Sequence, residues 1–187
     1  MSTGAETLDA GRGERPAMVK VWDPLVRLFH WSLVGGFAFA YFTGDEWKDV
    51  HIVAGYIVGG LVVFRLLWGL VGPKNARFTS FVRGPSTMLG YLKDALAFRA
   101  PRYLGHNPAG AAMIVALLVA IAMIATTGYM MTTDAFWGVE WVEEVHETTV
   151  YVTLGLIALH VGGVVMASIE HHENLVSAMF TGKKRAN

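Results

Sequence analysis

Four long apolar runs, separated by polar stretches, set the plan of the chain. They cover residues 21–44, 51–73, 109–132 and 143–165. A helix advances about 1.5 Å per residue, so roughly 20 apolar residues cross a hydrocarbon core about 30 Å thick. Each run meets that length. Helix punctuation agrees with the pattern. Trp22, Asp23 and Pro24 suit a first helical turn, Gly72 and Pro73 a stop, and Asn107 and Pro108 a cap followed by a first position. The second and third runs are joined by a polar connector, residues 74–106, with six basic residues and one acid. Within it, residues 80–99 pattern as an amphipathic helix lying on a membrane surface. The remaining two connections are short and acidic. Residues 1–18 are polar, lack the apolar centre of a signal peptide, and read as a mobile tail. Residues 181–187 form a basic C-terminal tail. The pattern predicts an all-α, integral membrane four-helix bundle over residues 19–180, with no internal repeat.

Composition places that bundle in lipid. Of 187 residues, 53% are hydrophobic and 16% charged, too apolar for a water-soluble domain of this size. Fifteen basic residues balance fifteen acidic ones, so no basic surface argues for nucleic acid. The chain has no cysteine, which excludes disulfides, thiolate zinc sites, iron–sulfur clusters and haem attached through thioethers. Any metal must be held by histidine or carboxylate. Charge also orients the bundle. Arg12, Arg15, Lys20 and Arg27 lie before or at the start of the first run, six basic residues lie in the connector, and three lie in the tail. Only Lys48 lies in the other two connections. Positive residues stay on the cytoplasmic side, so both termini are expected there. The opposite face carries Asp45, Glu46, Asp49, Asp134, Glu140, Glu143, Glu144 and Glu147. It reads either as a solvated rim at headgroup level or as a docking surface for a basic periplasmic protein.

Imidazoles are costly in lipid, and their depths can be matched. His146 and His160 are 14 residues apart in the last run, about 21 Å along a helix and nearly on one face. His30 begins an outward-running helix and His51 a returning one. Depth therefore pairs His30 with His160 on the cytoplasmic side and His51 with His146 on the periplasmic side. Two imidazoles facing each other across helices suit a low-spin haem iron with both axial positions filled. Zinc would want three or four ligands, which weighs against a histidine-using metal transporter. Glycines near these histidines (Gly35, Gly36, Gly55, Gly59, Gly60, Gly162 and Gly163) would let a macrocycle, or simply a neighbouring helix, approach closely. Arg65 lies about two turns inside the second run. It either snorkels to headgroups or meets a haem propionate or a quinone carbonyl. His106 reads as a turn residue. His171 and His172 read as solvated, with a headgroup-level pocket as the alternative.

Four stretches, VWDPLVRLFHW, RLLWGLVGP with ARFTSFV, GHNPAGA, and ENLVSAMFTGKKR, give the chain a family resemblance. From about Val21 to Arg185 it resembles the bacterial cytochrome b561 family and its relatives, the cytochrome b subunits of nickel–iron hydrogenases. The resemblance implies two non-covalent b haems, with His30, His51, His146 and His160 as the axial, metal-binding ligands. It implies a multi-pass protein of the bacterial inner membrane that exchanges electrons between ubiquinone or menaquinone and a periplasmic redox partner, a cytochrome or dehydrogenase. The expected activity is that of a quinone-linked oxidoreductase or electron-transfer subunit. Two alternatives remain within the family: a haem-containing anchor or assembly subunit of a periplasmic dehydrogenase or hydrogenase, and a superoxide:quinone oxidoreductase. The acidic turns argue against steering of a superoxide anion. The compact chain favours a free-standing cytochrome or one paired with a small periplasmic cytochrome. The oligomeric state is left open.

Overall fold

The computed structural model describes residues 17–186. Most of the expected N-terminal tail, residues 1–16, and Asn187 lie outside the described residues. In order, the elements are β1 (Met18–Lys20), α1 (Pro24–Thr43), α2 (Lys48–Val71), α3 (Phe78–Phe81), α4 (Pro85–Leu96), α5 (Pro108–Met131), α6 (Glu140–Glu170), α7 (Leu175–Thr181) and β2 (Lys183–Arg185). Four of these helices, α1, α2, α5 and α6, are long and apolar enough to cross a membrane. Their outward side chains are large and apolar, Phe42, Leu70, Val71 and Leu159 among them, as a lipid solvent requires.

Local chemistry explains where the spans begin. Asp23 caps α1, its Oδ1 accepting from the Leu25 and Val26 amides at 3.0 and 3.1 Å. The same oxygen accepts from the Trp68 indole at 3.2 Å, which ties the start of α1 to the end of α2. Asn107 caps α5 through the Gly110 amide at 2.7 Å, and Pro108 fills the position whose amide needs no partner. α6 has 31 residues, about 46 Å of helix, so it outruns the hydrocarbon core and projects beyond it. It starts at Glu140, three residues before the apolar run, because the acidic turn Glu140–Glu144 is itself helical.

The extensive helix contacts run in series, α1 on α2, α2 on α5, and α5 on α6. The shared core is small: Val58 and Val62 of α2 meet Ile121 of α5, with Leu33 and Phe37 of α1 packed against them. Gly36 lets α1 approach Val58, since a Cβ there would stand 3.2 Å from that side chain. α6 makes its extensive contacts with α5 and α7, and not with α1 or α2. That leaves one seam of the bundle bridged by side chains.

Part of the basic C-terminal segment is folded into a strand. Residues 183–185 pair antiparallel with β1, in the register Met18↔Arg185, so the fold is mostly helical with one two-stranded ribbon. The ribbon holds both described chain ends at one end of the bundle. Its reason is electrostatic. Glu173 is buried, and its carboxylate accepts from Arg102 at 3.1 Å, from Lys184 at 3.2 Å and from the Arg185 amide at 3.1 Å. Burial opposes that charge, but the hydrogen bonds from Arg102 and Lys184 outweigh it and hold the carboxyl below the ordinary glutamate value. The connector's surface helix is also shorter than residues 80–99: α3 and α4 are separate, and Arg83 and Gly84 between them are not helical.

Candidate functional site

The open seam is where the histidines meet. His30 of α1 faces His160 of α6 with ring centroids 6.5 Å apart, and His51 of α2 faces His146 of α6 at 6.2 Å. The first pair lies toward the end carrying the chain termini, the second toward the acidic turns. Two metal–imidazole bonds of about 2 Å each, with the half-widths of two rings, add up to roughly the same separation. Among the described residues no group of three His, Asp or Glu gathers that could complete a tetrahedral site.

Hydrogen bonds fix which nitrogen is available at the acidic end. His51 Nδ1 stands 2.8 Å from the Ala40 carbonyl, which only accepts, so Nδ1 carries the proton and Nε2 the lone pair. His146 Nδ1 stands 3.1 Å from Thr127 Oγ1. The single proton of the Thr127 hydroxyl has the Met123 and Ile124 carbonyls as acceptors at 2.8 and 3.1 Å; with it placed there, His146 Nδ1 donates to Oγ1 and its Nε2 is likewise free to ligate. Such outer bonds orient a ligating imidazole and raise its basicity. Gly128 makes room for the ring, because a Cβ there would lie 3.2 Å from His146 Cε1. At the other end, His30 Nδ1 is buried without a partner, and the centres of the His30 and Trp31 rings lie 5.0 Å apart with their planes near perpendicular.

Arg65 does not snorkel. It is 2% exposed, its guanidinium lies 4.6 Å from the centre of the Phe78 ring, and Nη1 is buried without a partner. Gly69 allows this, since a Cβ there would sit 2.0 Å from the Phe78 ring. A buried guanidinium with a spare donor suits an anionic group such as a carboxylate. His106, expected as a turn residue, is packed between Trp22 and Phe81 at 4.6 and 4.4 Å. Burial first, then the charges of Arg65 and Lys184, push its pKa down to about 4, so it is neutral at physiological pH. His172 is exposed, whereas His171 is half-buried with its Nε2 enclosed and unpartnered. All eight acids of the opposite end are exposed, and Lys48 lies over the Trp137 ring at 4.7 Å.

Thr127, Gly128, Phe78, Gly69 and Trp31 were not singled out from the sequence. The Thr126, Thr127, Gly128 triplet, a polar interruption in the most apolar run, was the available signal for two of them. The glycines that were singled out divide: Gly36 and Gly59 serve helix packing, while Gly35, Gly55, Gly60, Gly162 and Gly163 face open space.

Four membrane-length helices, with two imidazole pairs bridging one seam, have the architecture of a multi-pass membrane protein. Comparison with known proteins gives the family. The model of the prokaryotic cytochrome b561 family matches residues 21–182, and the chain belongs to that family. It is 22% identical to a probable Ni/Fe-hydrogenase B-type cytochrome subunit of Rhizobium leguminosarum bv. viciae, over 89% of this chain and 88% of the relative. No solved structure matches the chain. Membership supports a membrane electron-transfer role with haem b.

Proposed function

We propose that this protein carries electrons across the bacterial inner membrane through two b haems, between membrane quinone and a periplasmic redox partner. The observation that carries the reading is the pair of imidazole couples, 6.5 and 6.2 Å apart, at opposite ends of one seam. In this reading His30 and His160 hold one haem and His51 and His146 the other, each haem supplying a one-electron couple when bound. The chain's residues do the rest. Ala40 and Thr127 fix the tautomers of His51 and His146, and Arg65 offers its unpartnered Nη1 to a propionate or a quinone carbonyl. The surrounding apolar helices exclude water from both couples.

By the positive-inside rule the ribbon end is assigned here to the cytoplasmic side. Quinone is assigned to that side, near His106 and His171, where polar groups gather beside Arg65. The eight exposed acids then face the periplasm and favour a basic partner protein. Haem extraction with redox-titrated visible spectroscopy tests the reading. It expects two b-type centres per chain, with His160→Ala losing one and His51→Ala the other. Colourless protein, or loss of neither centre in both variants, refutes it.

The similarity to a hydrogenase cytochrome subunit favours a second reading, in which the protein chiefly anchors a periplasmic enzyme. Reconstituted protein that passes electrons from quinol to an isolated soluble acceptor would eliminate it.

A further inference from the structure

The segment after α6 supplies no histidine to either pair, yet it is fastened to the wall of one of them. Gly182 ends α7 with φ +78°, and its carbonyl accepts from the Val21 and Trp22 amides at 2.9 and 3.2 Å. That left-handed turn brings α7 against the start of α1, where the Arg27 guanidinium donates to the Phe180 carbonyl. The left-handed backbone at Gly182 favours glycine, and a Cβ there would also stand 3.2 Å from the Arg27 guanidinium. Below it, β2 pairs with β1 and Glu173 holds Lys184 and Arg102.

All of these fastenings set the position of one ring. Phe180 stacks on Trp31 at 4.3 Å with an interplanar angle of 18°. Trp31 in turn packs T-shaped against His30, ring centres 5.0 Å apart at 86°. Trp31 thus lies between a stacked phenyl ring and an imidazole, and His30 has no hydrogen bond at Nδ1 to orient it. At the other pair, His51 and His146 are oriented by Ala40 and Thr127. His30 is therefore held by other means than the pair at the acidic end, by aromatic packing in place of a hydrogen bond.

We infer that Phe180 is a positioning residue for the His30–His160 site: stacked on Trp31, it fixes the plane of His30 and shields that site from water. The inference rests on the two-haem reading above. The apolar shell around a metal centre controls solvent access, and water stabilises the more highly charged oxidised form. Phe180 is 59% exposed on its outer side and its inner face covers the half-buried Trp31; removing it uncovers that face, so the site at the ribbon end should become harder to reduce, while the site 14 residues along α6 keeps its own hydrogen-bonded frame.

The test compares wild-type holoprotein with Phe180→Ala, Phe180→Leu and Phe180→Trp, by redox titration and low-temperature electron paramagnetic resonance. The expected result is an unchanged haem count with one centre altered. Its midpoint falls and its low-spin signal shifts in the Ala and Leu variants, and both return toward wild type with Trp. The centre lost in His160→Ala must be the one that moves. Two wild-type centres with neither altered in the Ala and Leu variants overturn the inference and leave the two-haem reading standing. Equal shifts of both centres, or no rescue by Trp, also overturn it, since they mark a general loosening. Fewer than two centres in the wild type sinks the two-haem reading, and the inference falls with it.

Discussion

His106 offers a quantitative test of how the ribbon end is built. Its imidazole lies between Trp22 and Phe81, with Arg65 of α2 and Lys184 of β2 as the nearby positive charges. Its pKa falls from 6.5 to about 4 on folding. Between those values the unfolded chain binds a proton that the folded chain refuses, so stability must rise with pH across the window. Above pH 6.5 both states are neutral at this residue and it makes no difference. As the pH falls from 6.5 to 4 the cost accumulates, at about 1.4 kcal/mol for each unit of difference, to about 3 kcal/mol in all. His106→Gln removes the proton site while keeping a polar side chain of similar reach. Unfolding in mixed micelles with increasing sodium dodecyl sulfate, followed by helical circular dichroism at several pH values from 4 to 7.5, reads the difference. Carboxylates titrate alike in both proteins, so the wild type should lose about 3 kcal/mol more than the variant over that range. Parallel pH profiles would refute the burial of His106 beside Arg65 and Lys184.

Three further outcomes follow from the geometry. Glu173→Gln leaves Lys184 and Arg102 without their shared carboxylate and should cost about 3 kcal/mol by the same unfolding assay. Because folding depresses the Glu173 pKa, its stabilisation is present above the ordinary glutamate value and lost as pH falls through the lower folded one; the variant should lack that acid limb. Gly69→Ala places a methyl 2.0 Å from the Phe78 ring, so Phe78 must leave Arg65, at a cost of about 1–3 kcal/mol in unfolding free energy. Gly128→Val crowds His146 and should alter the spectrum of the centre that His51→Ala removes, leaving the other unchanged; an unaffected spectrum would show that His146 is not confined by α5.

The spans were legible because lipid imposes a crude length and composition rule, and Asp23, Asn107 and Pro108 marked their starts. The neighbours of each histidine followed from counting depth along helices that run in known directions: the structure brings His30 to His160 and His51 to His146. What stayed hidden depends on contacts between distant residues. Nothing local in FTSF announces that Phe78 will cover Arg65, since that requires the bare surface of Gly69 on another helix. Glu173 carries no local sign of burial, because its two cationic partners lie 71 and 11 residues away. Strands of three residues are too short for alternation to register, so the ribbon left no trace in the pattern. His106 misled for a related reason: the residue before a helix cap is ordinarily a turn, and only the fold puts Trp22 and Phe81 on either side of it.

The serial arrangement of the spans has a consequence for how the protein matures. α1 with α2 and α5 with α6 are two hairpin leaves, bound to each other along the α2–α5 spine. Parting the leaves at the free edge separates His30 from His160 and His51 from His146 without unthreading any chain, so the four spans can be in place before the imidazole pairs close.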